Sequence, residues 1–116
     1  MNAPETPLAE RRCVPCEGGV APLTAAQVRH ALAKLDPLWR FDEAKNLLFR
    51  EFRFKNFFRV MSFVNAVAHI ANTEDHHPDI ELGYDYCRLR YTTHAIGGLS
   101  ENDFICAAKI DQIPLS

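Results

Sequence analysis

Three of the five histidines in this 116-residue chain, His76, His77 and His94, stand where helices and strands are expected to end, the positions from which side chains converge on a cleft. An imidazole there titrates near neutrality and can give or take a proton. His76 is expected in the last turn of a long helix, where the negative end of the helix dipole favours imidazolium and raises the pKa. His77 precedes Pro78, which pushes it toward extended backbone and turns the chain, so the adjacent imidazoles project differently. His94 heads the loop Ala95-Ile96-Gly97-Gly98. Asp103 has two readings: a carboxylate that orients an imidazole, or the closing residue of a capping box opened by Ser100, with the cap favoured. His30 and His69 fall on polar helix faces and are read as solvated.

The cysteines offer weaker chemistry. Cys13-Val14-Pro15-Cys16 is a lone Cys-x-x-Cys; a structural zinc site wants four ligands, and no second pair stands at suitable spacing. It also lacks the strand-to-helix setting of a thioredoxin-like redox pair, so it is read as incidental to an arm. Cys87 and Cys106 lie on apolar faces and are expected in the core. Composition narrows the class further. A chain with 47% hydrophobic and 24% charged residues is ordinary for one soluble domain. Thirteen Lys+Arg against fifteen Asp+Glu leave a net charge of −2, without the basic excess that nucleic-acid binding needs. No apolar run approaches the roughly 20 residues of a membrane helix. The opening Met1-Asn2-Ala3-Pro4-Glu5-Thr6-Pro7 lacks the basic start and apolar stretch of a secretory signal, so a cytoplasmic, reducing location with free thiols is expected.

Seven elements must position these residues. Residues 1–22, with four prolines and a Gly18-Gly19 pair but no apolar periodicity, read as a flexible N-terminal arm; residues 23–116 read as a single domain. Thr24 and Gln27 form a capping-box pattern, and Val28, Ala31, Leu32 and Leu35 recur at helical spacing up to Asp36-Pro37. Residues 39–41 and 47–54 read as two strands, with a bulge near Arg50-Glu51 to bring Phe49 into phase with Phe52 and Phe54. The 56–75 stretch is a helix, capped by Asn56, whose apolar arc spans about half its circumference. That arc is wider than one sheet face needs, so part of it is expected to meet another subunit. Ile80, Leu82 and Tyr84, then Cys87, Leu89 and Tyr91, alternate as an antiparallel pair around a turn at Tyr84-Asp85. This pairing brings His94 toward His76 and His77. Ser100 and Asp103 open a last helix carrying Phe104, Ile105, Ala108 and Ile110. The expected fold is α+β in the order α-β-β-α-β-β-α.

Glu74-Asp75-His76-His77-Pro78-Asp79, followed by Tyr91-Thr92-Thr93-His94 and by Gly97-Gly98-Leu99-Ser100-Glu101-Asn102-Asp103, resembles the pterin-4a-carbinolamine dehydratases from about Leu23 to Ile113. The resemblance implies a four-stranded antiparallel sheet with helices on one face. It implies loss of water from 4a-hydroxytetrahydropterin to give quinonoid dihydropterin, recycling the cofactor of aromatic amino acid hydroxylases such as phenylalanine hydroxylase. Pterin would be the substrate, with no metal and no other cofactor. His76 and His94 are expected as the acid/base pair and His77 as a binding and orienting residue, with Asp103 in support. His76, His77, Pro78, Thr93, His94, Ala95 and Ile96 would contact the ring, partly through the hydroxyl and backbone around Thr93. Homodimers or homotetramers through the 56–75 helix are also implied. Two positions depart from the family's habit: Asn72 stands where many relatives carry an acidic residue, and Ile80 where an aromatic is common. Two rival readings stand beside this one. The first is a non-catalytic dimerisation or coactivator-type module using the same helix surface. The second is a metal-dependent hydrolase with His76, His77, His94 and Asp103 as ligands.

Overall fold

The computed structural model describes residues 6–16 and 18–115. Its elements follow the expected order: α1 (Ala25–Leu32), β1 (Arg40–Asp42), β2 (Leu47–Arg53), α2 (Phe57–Glu74), β3 (Asp79–Leu82), β4 (Tyr86–Tyr91) and α3 (Glu101–Ile110). The strands form one antiparallel sheet in the order β1-β2-β4-β3. Three helix starts were written into the sequence. The Thr24 and Gln27 side chains cap each other's backbone, Asn56 accepts the Arg59 N–H, and Ser100 and Asp103 close a second capping box.

The core lies between the sheet and the helices. Leu48 and Phe52 from β2 and Leu89 and Tyr91 from β4 meet Val60, Phe63, Val64 and Val67 of α2 and Phe104 and Ile105 of α3. Phe52 and Phe63 pack with ring centroids 4.5 Å apart. The expected bulge is absent. β2 pairs with β4 in unbroken register, from Leu48 opposite Tyr91 to Arg53 opposite Tyr86, so Phe49 stays on the outer face, with the Arg90 guanidinium 5.0 Å from its ring centre. The inward position that looked out of phase belongs to Arg50. It is buried, donates to Asp111 Oδ1 at 2.8 Å and lies 4.2 Å from the Phe52 ring centre, so the buried charge is paired.

The stretch read as a flexible arm makes specific contacts with the domain. Residues 1–5 and 17 lie outside the described residues; within residues 6–16, Leu8 is buried in the core and Lys109 Nζ donates to the Ala9 carbonyl at 2.8 Å. Arg11 pairs with Glu101. The arm therefore runs along α3, toward the end of the molecule where the histidines gather. Among the described residues no helix is long and apolar enough to cross a membrane.

Candidate active site

Helix α2 ends one residue earlier than expected, and that ending aims His76. Asp75 takes the left-handed conformation (φ 52°, ψ 43°), which Asp tolerates better than most residues. The Asp75 and His76 N–H groups then both donate to the Ala71 carbonyl, closing the helix in the manner of a Schellman turn. His76 thus sits past the helix rather than in its last turn. Its ring stacks on Tyr91 of β4, with centroids 5.6 Å apart and planes 8° apart.

Asp103 fulfils both of its readings at once. One carboxylate oxygen, Oδ2, accepts the Ser100 N–H at 3.0 Å and the Thr93 hydroxyl at 2.8 Å, which is the cap and its brace. The other, Oδ1, lies 2.6 Å from His76 Nε2. Asp103 is fully buried, and these hydrogen bonds offset the cost of taking its carboxyl group out of water. Facing it, His76 titrates above the ordinary histidine range. Burial opposes this, but the hydrogen bond and negative charge of Asp103, followed by the charges of Cys106 and Asp75, outweigh it. The expected upward direction holds, with the Asp103 carboxylate as the largest cause that raises it.

These groups open onto a cavity of about 610 Å³ whose lining includes His76, His77, Thr93, His94 and Ala95. Of the residues expected to touch a substrate, Pro78 and Ile96 are not on its lining. The Thr93 hydroxyl, expected to reach the ligand, is turned inward onto Asp103 and Ser100. His94 is exposed in a short 3-10 turn, His94–Ile96. His77 Nε2 lies 3.0 Å from Asn72 Oδ1, an amide oxygen that can accept an Nε2–H. The residue that departs from the family's habit therefore engages His77 through Nε2. His30 and His69 are exposed away from the cavity.

The remaining lining was not foreseen. Cys13, Val14, Pro15 and Cys16 form one wall, with Glu74 and Asn102 behind them. Asn102 clamps the wall by its backbone: Oδ1 accepts the Val14 N–H at 3.0 Å and Nδ2 donates to the Val14 carbonyl at 2.5 Å. Glu74 accepts the Cys13 N–H at 2.8 Å and pairs with Arg12 at 3.0 Å. Its burial would raise the carboxyl pKa, but the Cys13 N–H, Lys109 and Arg12 together hold it below the usual range. The arm carries no apolar period because it docks through main-chain hydrogen bonds, which leave no side-chain pattern. Replacing Asn102 by alanine should release it, at about 1–3 kcal/mol for two lost bonds. Urea unfolding would show that loss, and trypsin should cut faster after Arg11 and Arg12.

Residues 21–113 match the family model described as pterin 4 alpha carbinolamine dehydratase. The chain belongs to that family. It is 55% identical over 109 residues to a provisionally named pterin-4-alpha-carbinolamine dehydratase of Nitrosomonas eutropha, covering 94% of this chain and 95% of the relative. A Legionella pneumophila protein of the same provisional name is 50% identical over 106 residues, covering 91% and 94%. A transcriptional coactivator/pterin dehydratase from Brucella melitensis shares the fold at TM-score 0.73 and 30% identity, over 77% of this chain and 94% of that one. A pterin dehydratase-like RuBisCO assembly factor of the alpha-carboxysome shares the fold at TM-score 0.55 and 24% identity, over 63% of this chain and 84% of that one. Among the described residues, no three His, Cys, Asp or Glu side chains are disposed to hold a metal ion.

Proposed function

We propose that this chain removes water from 4a-hydroxytetrahydropterins, including 4a-hydroxytetrahydrobiopterin, to give quinonoid dihydropterin. The observation that carries the reading is the buried Asp103 carboxylate on His76 Nε2 at a cavity that His77 and His94 also line. With Nε2 tied to Asp103, Nδ1 is the nitrogen His76 has left for a substrate. The Asp103 carboxylate at Nε2 favours the charged imidazole, which places His76 to hand a proton to the departing 4a-hydroxyl. The N5 proton must leave as the ring becomes quinonoid, and His94 is assigned as its acceptor. His77 orients the ring through the Nδ1 that Asn72 leaves free. Proton transfer from His94 to His76 through solvent then restores the starting state, with no other cofactor required.

The wider setting follows the same reading: a cytoplasmic enzyme that returns pterin to aromatic amino acid hydroxylases such as phenylalanine hydroxylase. Phe58 is 85% exposed and Phe57 46% exposed at the start of α2, a surface suited to pairing with another copy as dimer or tetramer. The same two phenylalanines favour a second reading, a coactivator-type binding module. Stopped-flow absorbance of freshly generated carbinolamine separates the two. Dehydration well above the buffer rate is expected; a rate equal to buffer overturns the enzymatic reading.

A further inference from the structure

We propose that Cys13 and Cys106 form a redox modification site beside the histidine cavity, a dithiol that peroxide converts to a disulfide tying the N-terminal arm to α3. The two cysteines stand 93 positions apart in sequence, yet their sulfurs lie 3.6 Å apart. A disulfide needs about 2.05 Å, a closure of roughly 1.5 Å that the half-buried Cys13, on an arm docked by a few polar contacts, can supply. The arrangement does not favour the pairing that Cys-x-x-Cys spacing suggests. Cys16 Sγ accepts from Asn102 Nδ2 at 3.3 Å, while Cys13 Sγ faces Cys106 and the Asn102 carbonyl. Cys87 is buried in the apolar core, where burial pushes its thiol up to about 11.

The surroundings of Cys106 give a second, independent indication. Among the described residues the fully buried Tyr91 hydroxyl has no hydrogen-bond partner, and it sits beside the Cys106 sulfur, where a thiolate or a sulfenic oxygen would satisfy it. The thiol of Cys106 also lies below the ordinary cysteine range. The hydrogen bond with Cys13 is the largest cause; burial opposes this, and the His76 charge reinforces it. Cys13 moves the other way, chiefly because its proton is held by Cys106. The two sulfurs share their protons as a pair; Cys106, beside the Tyr91 hydroxyl, is taken as the sulfur that is oxidised and Cys13, on the docked arm, as the resolving partner. Peroxide, little larger than water, can approach the pair from the cavity, since Cys13 is part of the wall.

The chemistry balances with hydrogen peroxide as the oxidant. The Cys106 thiolate attacks one peroxide oxygen, the O–O bond breaks, and hydroxide leaves and takes up a proton, giving a sulfenic acid. Cys13 sulfur then attacks the Cys106 sulfur, the S–O bond breaks, and water leaves with the Cys13 proton. Two thiols and one peroxide become one disulfide and two waters; each sulfur loses one electron and each oxygen gains one.

The test uses the full chain, reduced, desalted, treated with hydrogen peroxide, alkylated and digested for mass spectrometry. The expected product is a Cys13 peptide joined to a Cys106 peptide, lighter than their sum by two hydrogens and separated again by reductant. Cys16→Ser and Cys87→Ser should keep the link. Cys13→Ser, a change on the docked arm rather than in the core, should abolish it and leave a sulfenic acid on Cys106 that dimedone traps. A Cys13–Cys16 link, a Cys106 that stays alkylatable, or zinc held stoichiometrically by the thiols would each overturn the proposal. Any effect of the link on turnover rests on the proposed dehydratase activity, and the two fail separately. An active enzyme without the link refutes the redox site, and a protein that forms the link but shows no turnover in its reduced form refutes the dehydratase.

Discussion

Replacing His76 by glutamine is expected to lower kcat for carbinolamine dehydration by about 10²–10⁴-fold, the usual worth of a positioned acid or base, with a smaller change in KM. Glutamine is of similar length and can still accept or donate one hydrogen bond toward Asp103, so the loss isolates the proton rather than the packing. Turnover within a factor of about two of the parent chain, where the bond to Asp103 is kept, would refute His76 as the acid. The same substitution should flatten one limb of the pH–rate profile. As the imidazolium is the form that donates, the parent's activity falls as pH rises through the elevated pKa of His76.

Stability should carry the same signature. His76 has a folded-state pKa above its unfolded value. The stabilisation from the Asp103–imidazolium bond is therefore fully present below the unfolded pKa of about 6.5 and is lost as pH rises through the folded pKa. The stability gap between parent and His76→Gln, read from urea melts, should accordingly be wider in mild acid than in mild base. A gap independent of pH would mean that the pKa of His76 does not change on folding.

How much of this arrangement could be read in advance depends on whether an interaction leaves a local mark. Thr24 with Gln27, Asn56, and Ser100 with Asp103 each announce a helix start within four residues, and all three caps formed. The alternation of Cys87, Leu89 and Tyr91 fixed the inward face of β4. His76, His77 and His94 converge because a hairpin of definite parity joins the strands between them. Arg50 was misplaced because alternation is read from apolar residues, and a buried arginine matched by Asp111 from a distant helix end breaks the pattern without breaking the strand. At Asp103 the cap was favoured over orienting an imidazole because the cap is local and visible, whereas His76 lies 27 residues away. The arm was the least legible part. Its anchors are Asn102 and Glu74 meeting the Val14 and Cys13 backbone, and no amino-acid preference on the arm records a contact made through its main chain.

The largest stability effect should come from Asp103, because one carboxylate there serves a helix cap, a strand end and a histidine together. Asp103→Ala strips the acceptor from the Ser100 N–H, the Thr93 hydroxyl and His76 Nε2 at once. With the partner of a mostly buried imidazole removed, a loss of about 3–5 kcal/mol is expected in urea unfolding. Asp103→Asn is the more informative change. Its amide has a single acceptor oxygen, so one of the three donors must meet an N–H, leaving a buried group unsatisfied at about 1–3 kcal/mol. If the amide turns its nitrogen toward His76, Nε2 becomes an acceptor and the proton moves to Nδ1, without the negative charge that favoured imidazolium. Turnover should then fall about 10–100-fold, as expected for an orienting partner, and the pH above which activity is lost should move down. A merely structural Asp103 would lower the melting point and leave that pH where it was. Ser100→Ala separates the two tasks, since it weakens the cap by about 1 kcal/mol while the carboxylate stays on His76.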